Sequence, residues 1–263
     1  AALVGGGGLV HLERDPEVRE VWTADARVPP ARVVQGMFGT TRSTPASKLV
    51  LVVDGSVSMR DSARAVADAV AALPGSVDLE ILAAFDKVRS LGGTASGEAR
   101  RTSPELAALL RRIGYHGGQD NVAALVRGWD AAVSLPGSVL VWVHGPQPVV
   151  LGAADSLRQR CERAANGPLI YSFQVAPGPN RLLERLGDLP RVRSAARAGS
   201  VADDLARLLT RLTQATDEPV VHRTVSAQSA LPESAGRRQV SFHLARLWAQ
   251  DRIRELRGQR RAD

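Results

Sequence analysis

From Lys48 onward, short unbroken apolar runs alternate with stretches whose apolar residues recur every three or four positions. Leu49 to Val53, Val77 to Phe85, Val139 to Val143 and Leu169 to Val175 are the runs. Continuous apolar strands of this kind belong in a parallel sheet covered on both faces. Between them, Ala63, Val66, Ala67 and Val70 keep helical spacing as far as Pro74-Gly75. Leu106, Leu109, Leu110 and Ile113 repeat it behind Ser103-Pro104, which predicts Ser103 as N-cap and Pro at the first helical position. Val122, Leu125, Val126 and Trp129 mark a helix after Gly117-Gly118, and another is expected from about 153 to 165. Val88 to Leu91 predicts a short antiparallel edge strand, Pro179 to Leu186 a short helix, and Arg191 to Arg193 the start of a last strand. Ser200, with Asp203 three residues on, caps a helix whose Leu205, Leu208, Leu209 and Leu212 face inward. Strands alternating with helices of this length imply right-handed βαβ units. The fold class is therefore α/β, with a doubly wound, mostly parallel central sheet flanked by helices.

The flanks lack this alternation. Residues 1 to 46 hold a glycine run at Gly5 to Gly8, Pro29-Pro30 and two β-like patches, Val18 to Trp22 and Arg32 to Val34. Thr40 to Ser47 reads as a linker. Beyond Thr213 the chain is polar and extended, with Val220, Val221 and Val225 as candidate strand residues. A final helix is expected from about Ser241 to Arg257. Its Leu244, Leu247 and Trp248 form one apolar patch, and Ile253 and Leu256 form another. The organisation expected is thus 1–46, 47–214 and 215–263.

With 263 residues, 44% of them apolar, the chain can bury a full core. No run approaches the roughly 18–20 apolar residues of a membrane span. The missing initiating Met and charged leader predict an excised fragment of a longer protein, whose membrane anchor or signal lies elsewhere. Cys161 is the sole cysteine, which excludes an intrachain disulfide and a thiolate cluster. It shares a helix face with Leu157 and reads as a core thiol. The net charge of +7 invites nucleic acid as a partner. Lys48 and Lys87 are the only lysines, the arginines are interleaved with acids, and aromatics make up only 4%. Too few stacking platforms remain for that partner. Gly5 to Gly8 lacks the strand and helix of a phosphate loop and reads as a flexible linker, and no small-molecule substrate is expected.

The candidate chemistry lies at Asp54-Gly55-Ser56-Val57-Ser58, directly after the first buried strand. One carboxylate and two hydroxyls gather at a strand's carboxyl end, where open α/β sheets place ligands. Hard cations such as Mg2+ take oxygen ligands of this kind. The pattern resembles the Asp-x-Ser-x-Ser metal-ion-dependent adhesion site of von Willebrand factor A domains. The resemblance implies that Ser56 and Ser58 touch an ion directly and that Asp54 holds a ligand water. The family's second loop offers a threonine in a Gly-Gly-Thr-Asp/Asn context. Here Gly117-Gly118-Gln119-Asp120-Asn121 puts Gln119 in its place, with Asp120 either substituting or capping the next helix. The third loop of the family carries an aspartate before glycine, whereas this chain reads His144-Gly145-Pro146-Gln147-Pro148.

Three outcomes stay open at this point: a degenerate domain without metal, weak residual Mg2+ binding, or a transition-metal site from Asp54, His144 and His116, because imidazole suits zinc or nickel. A hydrolytic reading of Ser56 or Ser58 with His144 and Asp54 lacks the second glycine of a nucleophile turn and any oxyanion-hole motif. His11, His222 and His243 have no partners at ligand spacing. Trp129 and Trp142 read as core.

The segment His243 to Leu256 is similar to the arginine-leucine-tryptophan-alanine helix that follows the A domain in proteins of the inter-alpha-trypsin inhibitor heavy-chain type. Those proteins pair a VIT domain with an A domain, which would make residues 1–46 a linker or the tail of a β-rich domain. The expectation is a non-enzymatic protein–protein interaction module in a larger bacterial protein, with a degenerate metal site. Its unidentified protein partner would meet loops 54–60, 114–121 and 144–149, with His116, His144, Gly145 and Gln147 in contact. Protonated His144 would favour a partner carboxylate below about pH 6.5. A second reading makes the chain a structural or assembly component of the cell envelope whose A domain packs within its own chain. Cell envelope or secreted is the expected location, with the cytoplasm left open.

Overall fold

The computed structural model describes residues 20–25, 31–93, 101–117, 120–164, 166–187, 189–195, 197, 199–226, 239–240, 244 and 249. In chain order the elements begin with strands β1 (Glu20–Ala24), β2 (Arg32–Arg42) and β3 (Leu49–Asp54). A 3-10 turn, Val57–Ser62, leads to α1 (Ala63–Ala71), β4 (Leu79–Ala84), β5 (Val88–Gly93), α2 (Ser103–Arg112) and α3 (Val122–Val133). There follow β6 (Val139–His144), α4 (Ala154–Arg163), β7 (Leu169–Gln174), α5 (Arg181–Leu186), β8 (Val192–Ser194), α6 (Val201–Thr213), β9 (Asp217–Ser226) and β10 (Gln239–Val240). The chain divides into two compact units, residues 44–215 and residues 1–43 with 216–263.

In the first unit six strands run in the order β5-β4-β3-β6-β7-β8. All pairings are parallel except that of the edge strand β5 with β4. Counted from β3, this is the doubly wound order in which the sheet grows outward in two directions from its centre. Strand alternation splits the core in two. Leu49, Leu51 and Val53 join Val66 and Val70 of α1, Leu106 and Leu110 of α2, and Leu205 and Leu209 of α6. Val50 and Val52 face the other way, onto Leu125 and Trp129 of α3, Leu157 of α4 and Leu182 of α5. A strand covered on both faces has no polar side to mark in sequence, which is why β3 reads as an unbroken apolar run. Cys161 is buried with α4 on the second face, and burial pushes its thiol up to about 11.

The N-cap of α2 is Thr102, one residue earlier than the sequence predicts. Its hydroxyl accepts the Glu105 N–H at 3.4 Å while the Glu105 carboxylate accepts the Thr102 N–H at 2.7 Å. This reciprocal box satisfies two donors that the helix start would otherwise leave orphaned. Ser103 is already helical, and its buried hydroxyl has no hydrogen-bond partner among the described residues.

The second unit contains a four-stranded sheet in the order β10-β1-β2-β9. β2 pairs antiparallel with both β1 and β9, and β1 pairs parallel with β10. The two flanking segments, read apart in the sequence, therefore share one sheet. Thr40 to Arg42, read as linker from composition, are the end of β2 and lie opposite Pro219, Glu218 and Asp217. β-branched threonines suit an extended backbone, and pairing decides what composition leaves ambiguous. His222 lies in β9 opposite Gly36. Of the expected final helix only Leu244 and Ala249 are described, both helical. The rest of that helix, His243, His11 and the run Gly5 to Gly8 lie outside the described residues.

Candidate functional site at the sheet's carboxyl edge

Asp54 is the last residue of β3, next to β6, at the point where the sheet's winding reverses. Chains leaving neighbouring strands there turn to opposite faces and open a crevice. The Asp54 side chain is fully buried in it. Its Oδ1 accepts the Ser56 N–H at 2.9 Å and the Asn121 amide at 3.4 Å. Oδ2 accepts the Ser56 hydroxyl at 2.9 Å, the Gly145 N–H at 3.2 Å and the Gln147 amide at 3.1 Å. Five donors surround one carboxylate, which is what a buried charge needs when no cation is beside it. Tyr115 lies near enough to register that charge: burial first, and the Asp54 carboxylate second, push its phenol up to about 12.

Ser56 and Ser58 stand 2.8 Å apart through their hydroxyls. Ser56 has one proton, which goes to Asp54, so Ser58 donates to Ser56. The Asp-x-Ser-x-Ser turn thus forms a chain of hydrogen bonds running from the exposed Ser58 to the buried carboxylate.

The loop after β6 closes this site from the other side. Gly145 packs so tightly against Ser58 that a side chain there would collide with the hydroxyl. Gln147 is held by its backbone, its N–H donating to Pro179 O at 2.9 Å and its carbonyl accepting the Arg181 N–H at 2.8 Å. Those bonds deliver its amide to Asp54. Sequence reading named Gly145 and Gln147 as surface contacts; Gln147 is instead buried and works inward.

Asn121 is the main residue that sequence reading missed. It is fully buried at the start of α3, accepting the Trp142 indole N–H at 2.7 Å while donating to Asp54. The available signal was a polar residue directly ahead of the apolar run Val122 to Val126. Trp142 is core, as its strand pattern indicates, and Asn121 gives its one polar atom a partner.

Two sequence expectations are corrected by their hydrogen bonds. Asp120 does not join the site: Oδ2 accepts the N–H groups of Leu151 and Gly152, the latter at 2.6 Å, and Oδ1 accepts the Val122 N–H at 3.1 Å. A carboxylate so occupied pins a loop and supports the first turn of α3. His144 is fully buried, with its ring stacked on Trp142 at 3.6 Å between centroids. Its Nδ1 lies 2.6 Å from Gly145 O, which can only accept, so Nδ1 carries the proton. The Ser172 hydroxyl then donates to Nε2 at 2.8 Å. Asn180 Nδ2, at 3.5 Å from Nδ1, is the weaker claimant. Burial pushes the imidazole down to about 4, against a smaller upward pull from Gly145 O. His144 is therefore a neutral core group, and its protonation does not offer a partner a charge near pH 6. His116 sits in a different setting, stacked on Phe85 at 5.6 Å. Gln119 lies outside the described residues.

Among the described residues these donors form an incomplete set for a divalent cation. The described residues contribute one carboxylate and two neutral hydroxyls, and both carboxylate oxygens are already engaged by protein donors. Among the described residues no second acid is placed to balance a hard ion, because Asp120 is committed elsewhere and His144 is sealed in the core. Among the described residues no group of three His, Cys, Asp or Glu side chains is placed to hold a metal, which also removes the Asp54, His144 and His116 arrangement. Nor do Ser56 or Ser58 meet an imidazole: the serine that His144 engages is Ser172, itself buried.

No family model matches the chain, and no curated protein matches it by sequence. Among solved structures it is similar to the von Willebrand factor type A protein from Catenulispora acidiphila, at 15% identity and TM-score 0.48 over 74% of this chain. It is similar to the manganese-loaded TRAP protein of Plasmodium vivax, at 13% identity and TM-score 0.47 over 73% of this chain and 82% of that one. A third is proximal thread matrix protein 1 from the mussel byssus with a zinc-occupied MIDAS motif, at 11% identity and TM-score 0.41 over 65% of this chain. The chain spans 46% of the length of the first of these and 48% of the third.

Proposed function

We propose that this chain is a non-enzymatic protein–protein interaction module of the von Willebrand factor A kind, with a degenerate metal-ion-dependent adhesion site. One observation carries the reading: the segments that enclose a carboxylate saturated by its own chain also carry exposed apolar side chains. Val57, Val149 and Leu151 are 52%, 57% and 72% exposed, and all three lie in the segments that leave the carboxyl ends of β3 and β6. Asp120 fixes the Leu151 backbone, so the most exposed of them is held in place. Apolar groups presented on a fixed loop suit a protein surface better than a small-molecule pocket. The same carboxylate has no free oxygen for acid–base work, and Ser56 and Ser58 have no imidazole to activate them. The reading includes a bacterial origin, membership of the VIT-linked subtype and a place in the cell envelope, supported by the resemblances in the loops and the final segment. It requires no ion at the site.

Photo-crosslinking tests it. A photoreactive residue at Val149 should form adducts with a second protein in the native host, whereas the same probe at Val133, at the far end of α3, should not. Adducts confined to this chain's own longer product would favour the assembly component that packs within itself. Equal labelling from both positions, or none from either, would sink the interaction face.

A further inference from the structure

We infer that the Gln147 amide takes the place beside Asp54 that a second acid would need, and that one substitution, Gln147→Glu, turns this site into one for Mg2+ or Mn2+. The inference deepens the degenerate-site reading and rests on it. Gln147 is 5% exposed, and its Nε2 lies 3.1 Å from Asp54 Oδ2. The amide is positioned by its own main chain, through Pro179 O and the Arg181 N–H and a bridge to Asn180. It therefore supplies partial positive charge at a fixed point beside a buried carboxylate, in the same crevice as Ser56 and Ser58.

Glutamate has the shape of glutamine and replaces the Nε2 donor with an oxygen. Two carboxylates would then face each other across about the same distance, with the Ser56 hydroxyl on the shared Asp54 oxygen. Without an ion they repel. With one, two acids and two hydroxyls form the oxygen set that hard divalent cations favour, with water free to complete it. Wild type lacks that set because its fourth group is a neutral amide, turned donor-first to Asp54, rather than a second acid. The metal dependence would thus turn on a single atom.

The test is thermal unfolding of the full chain in chelator, then with millimolar Mg2+ or Mn2+. The wild-type midpoint should not move with either ion. Gln147→Glu should lose roughly 5 °C or more in chelator and recover on adding the ion, because binding to the native state raises the midpoint. That recovery should vanish when Ser56→Ala is added. Gln147→Met, which keeps the shape and deletes the donor, should lower the midpoint with no ion response. A Met variant as stable as wild type would overturn the inference even if the Glu variant did not fold. A Glu variant indifferent to both ions would overturn it while leaving the degenerate-site reading intact. A wild-type midpoint that rises with Mn2+ and stops doing so in Ser56→Ala would overturn both.

Discussion

A Cβ added to Gly145 would stand 2.0 Å from Ser58 Oγ and 2.9 Å from Ser58 Cβ, so the loops after β3 and β6 interlock at these two residues. Gly145 has no positive φ, so space rather than backbone freedom demands glycine here. Gly145→Ala should destabilise the protein by about 1–3 kcal/mol through overpacking. Adding Ser58→Gly should restore much of the loss, because the clash is with that side chain. A double-mutant cycle in urea measures the coupling. Additive losses from the two substitutions would show that the loops do not interlock here.

Asn121 joins Asp54 to Trp142, and its removal strands the indole and leaves the carboxylate a donor short. Asn121→Ala leaves the indole N–H without a partner and Asp54 Oδ1 with one donor instead of two. The stranded indole costs about 1–3 kcal/mol and the donor lost from Asp54 adds about 1 more, so a loss of roughly 2–4 kcal/mol is expected in chemical denaturation. Asn121→Asp should be worse, since it keeps the acceptor for Trp142 but sets a second carboxylate against Asp54. A smaller loss for Asp than for Ala would contradict this account.

The helix start at α2 separates two neighbouring hydroxyls. Thr102→Ala removes the capping box and should cost about 1 kcal/mol. Ser103→Ala removes a buried hydroxyl that has no partner among the described residues, and should be neutral or slightly stabilising. The two midpoints in urea decide the matter; a greater loss at Ser103 would return the cap to the position that the sequence predicts.

Acid sensitivity follows from His144. Its folded pKa, about 4, lies below the ordinary 6.5, so protonation favours the unfolded chain. The stability this group contributes is fully present above about pH 6.5 and is lost as the pH falls toward 4. The full span amounts to about 3 kcal/mol. His144→Gln should lower stability at neutral pH and flatten its fall across that window. Denaturant midpoints for both proteins through the interval supply the comparison. An unchanged slope would mean that other groups set the acid sensitivity.

What was legible and what was not differs by residue. The buried strands β3, β6 and β7 stand out because both their faces are apolar. Asp54, Ser56 and Ser58 stand out because their relationship is local and spans five residues. Gln147 and His144 were visible as polar residues near a strand end, but their directions were not. One side chain turns in toward Asp54 and the other is sealed against Trp142, and neither orientation leaves a trace in spacing. Asn121 was overlooked because a polar residue at a helix start ordinarily reads as a cap. Thr40 to Arg42 were misplaced because their strand partners are about 175 residues away in β9.

The sequence by itself determined the alternation of strands and helices, the two-faced core and the acidic turn at the end of β3, since each rests on apolar periodicity or on near neighbours. Only the tertiary structure decided what that turn is. Its carboxylate is satisfied by Asn121, Gly145 and Gln147, from 67 to 93 residues distant in the chain. Burying a charge imposes a demand for donors without specifying where in the chain they arise, so folding had to bring those loops together before the site could be read as closed.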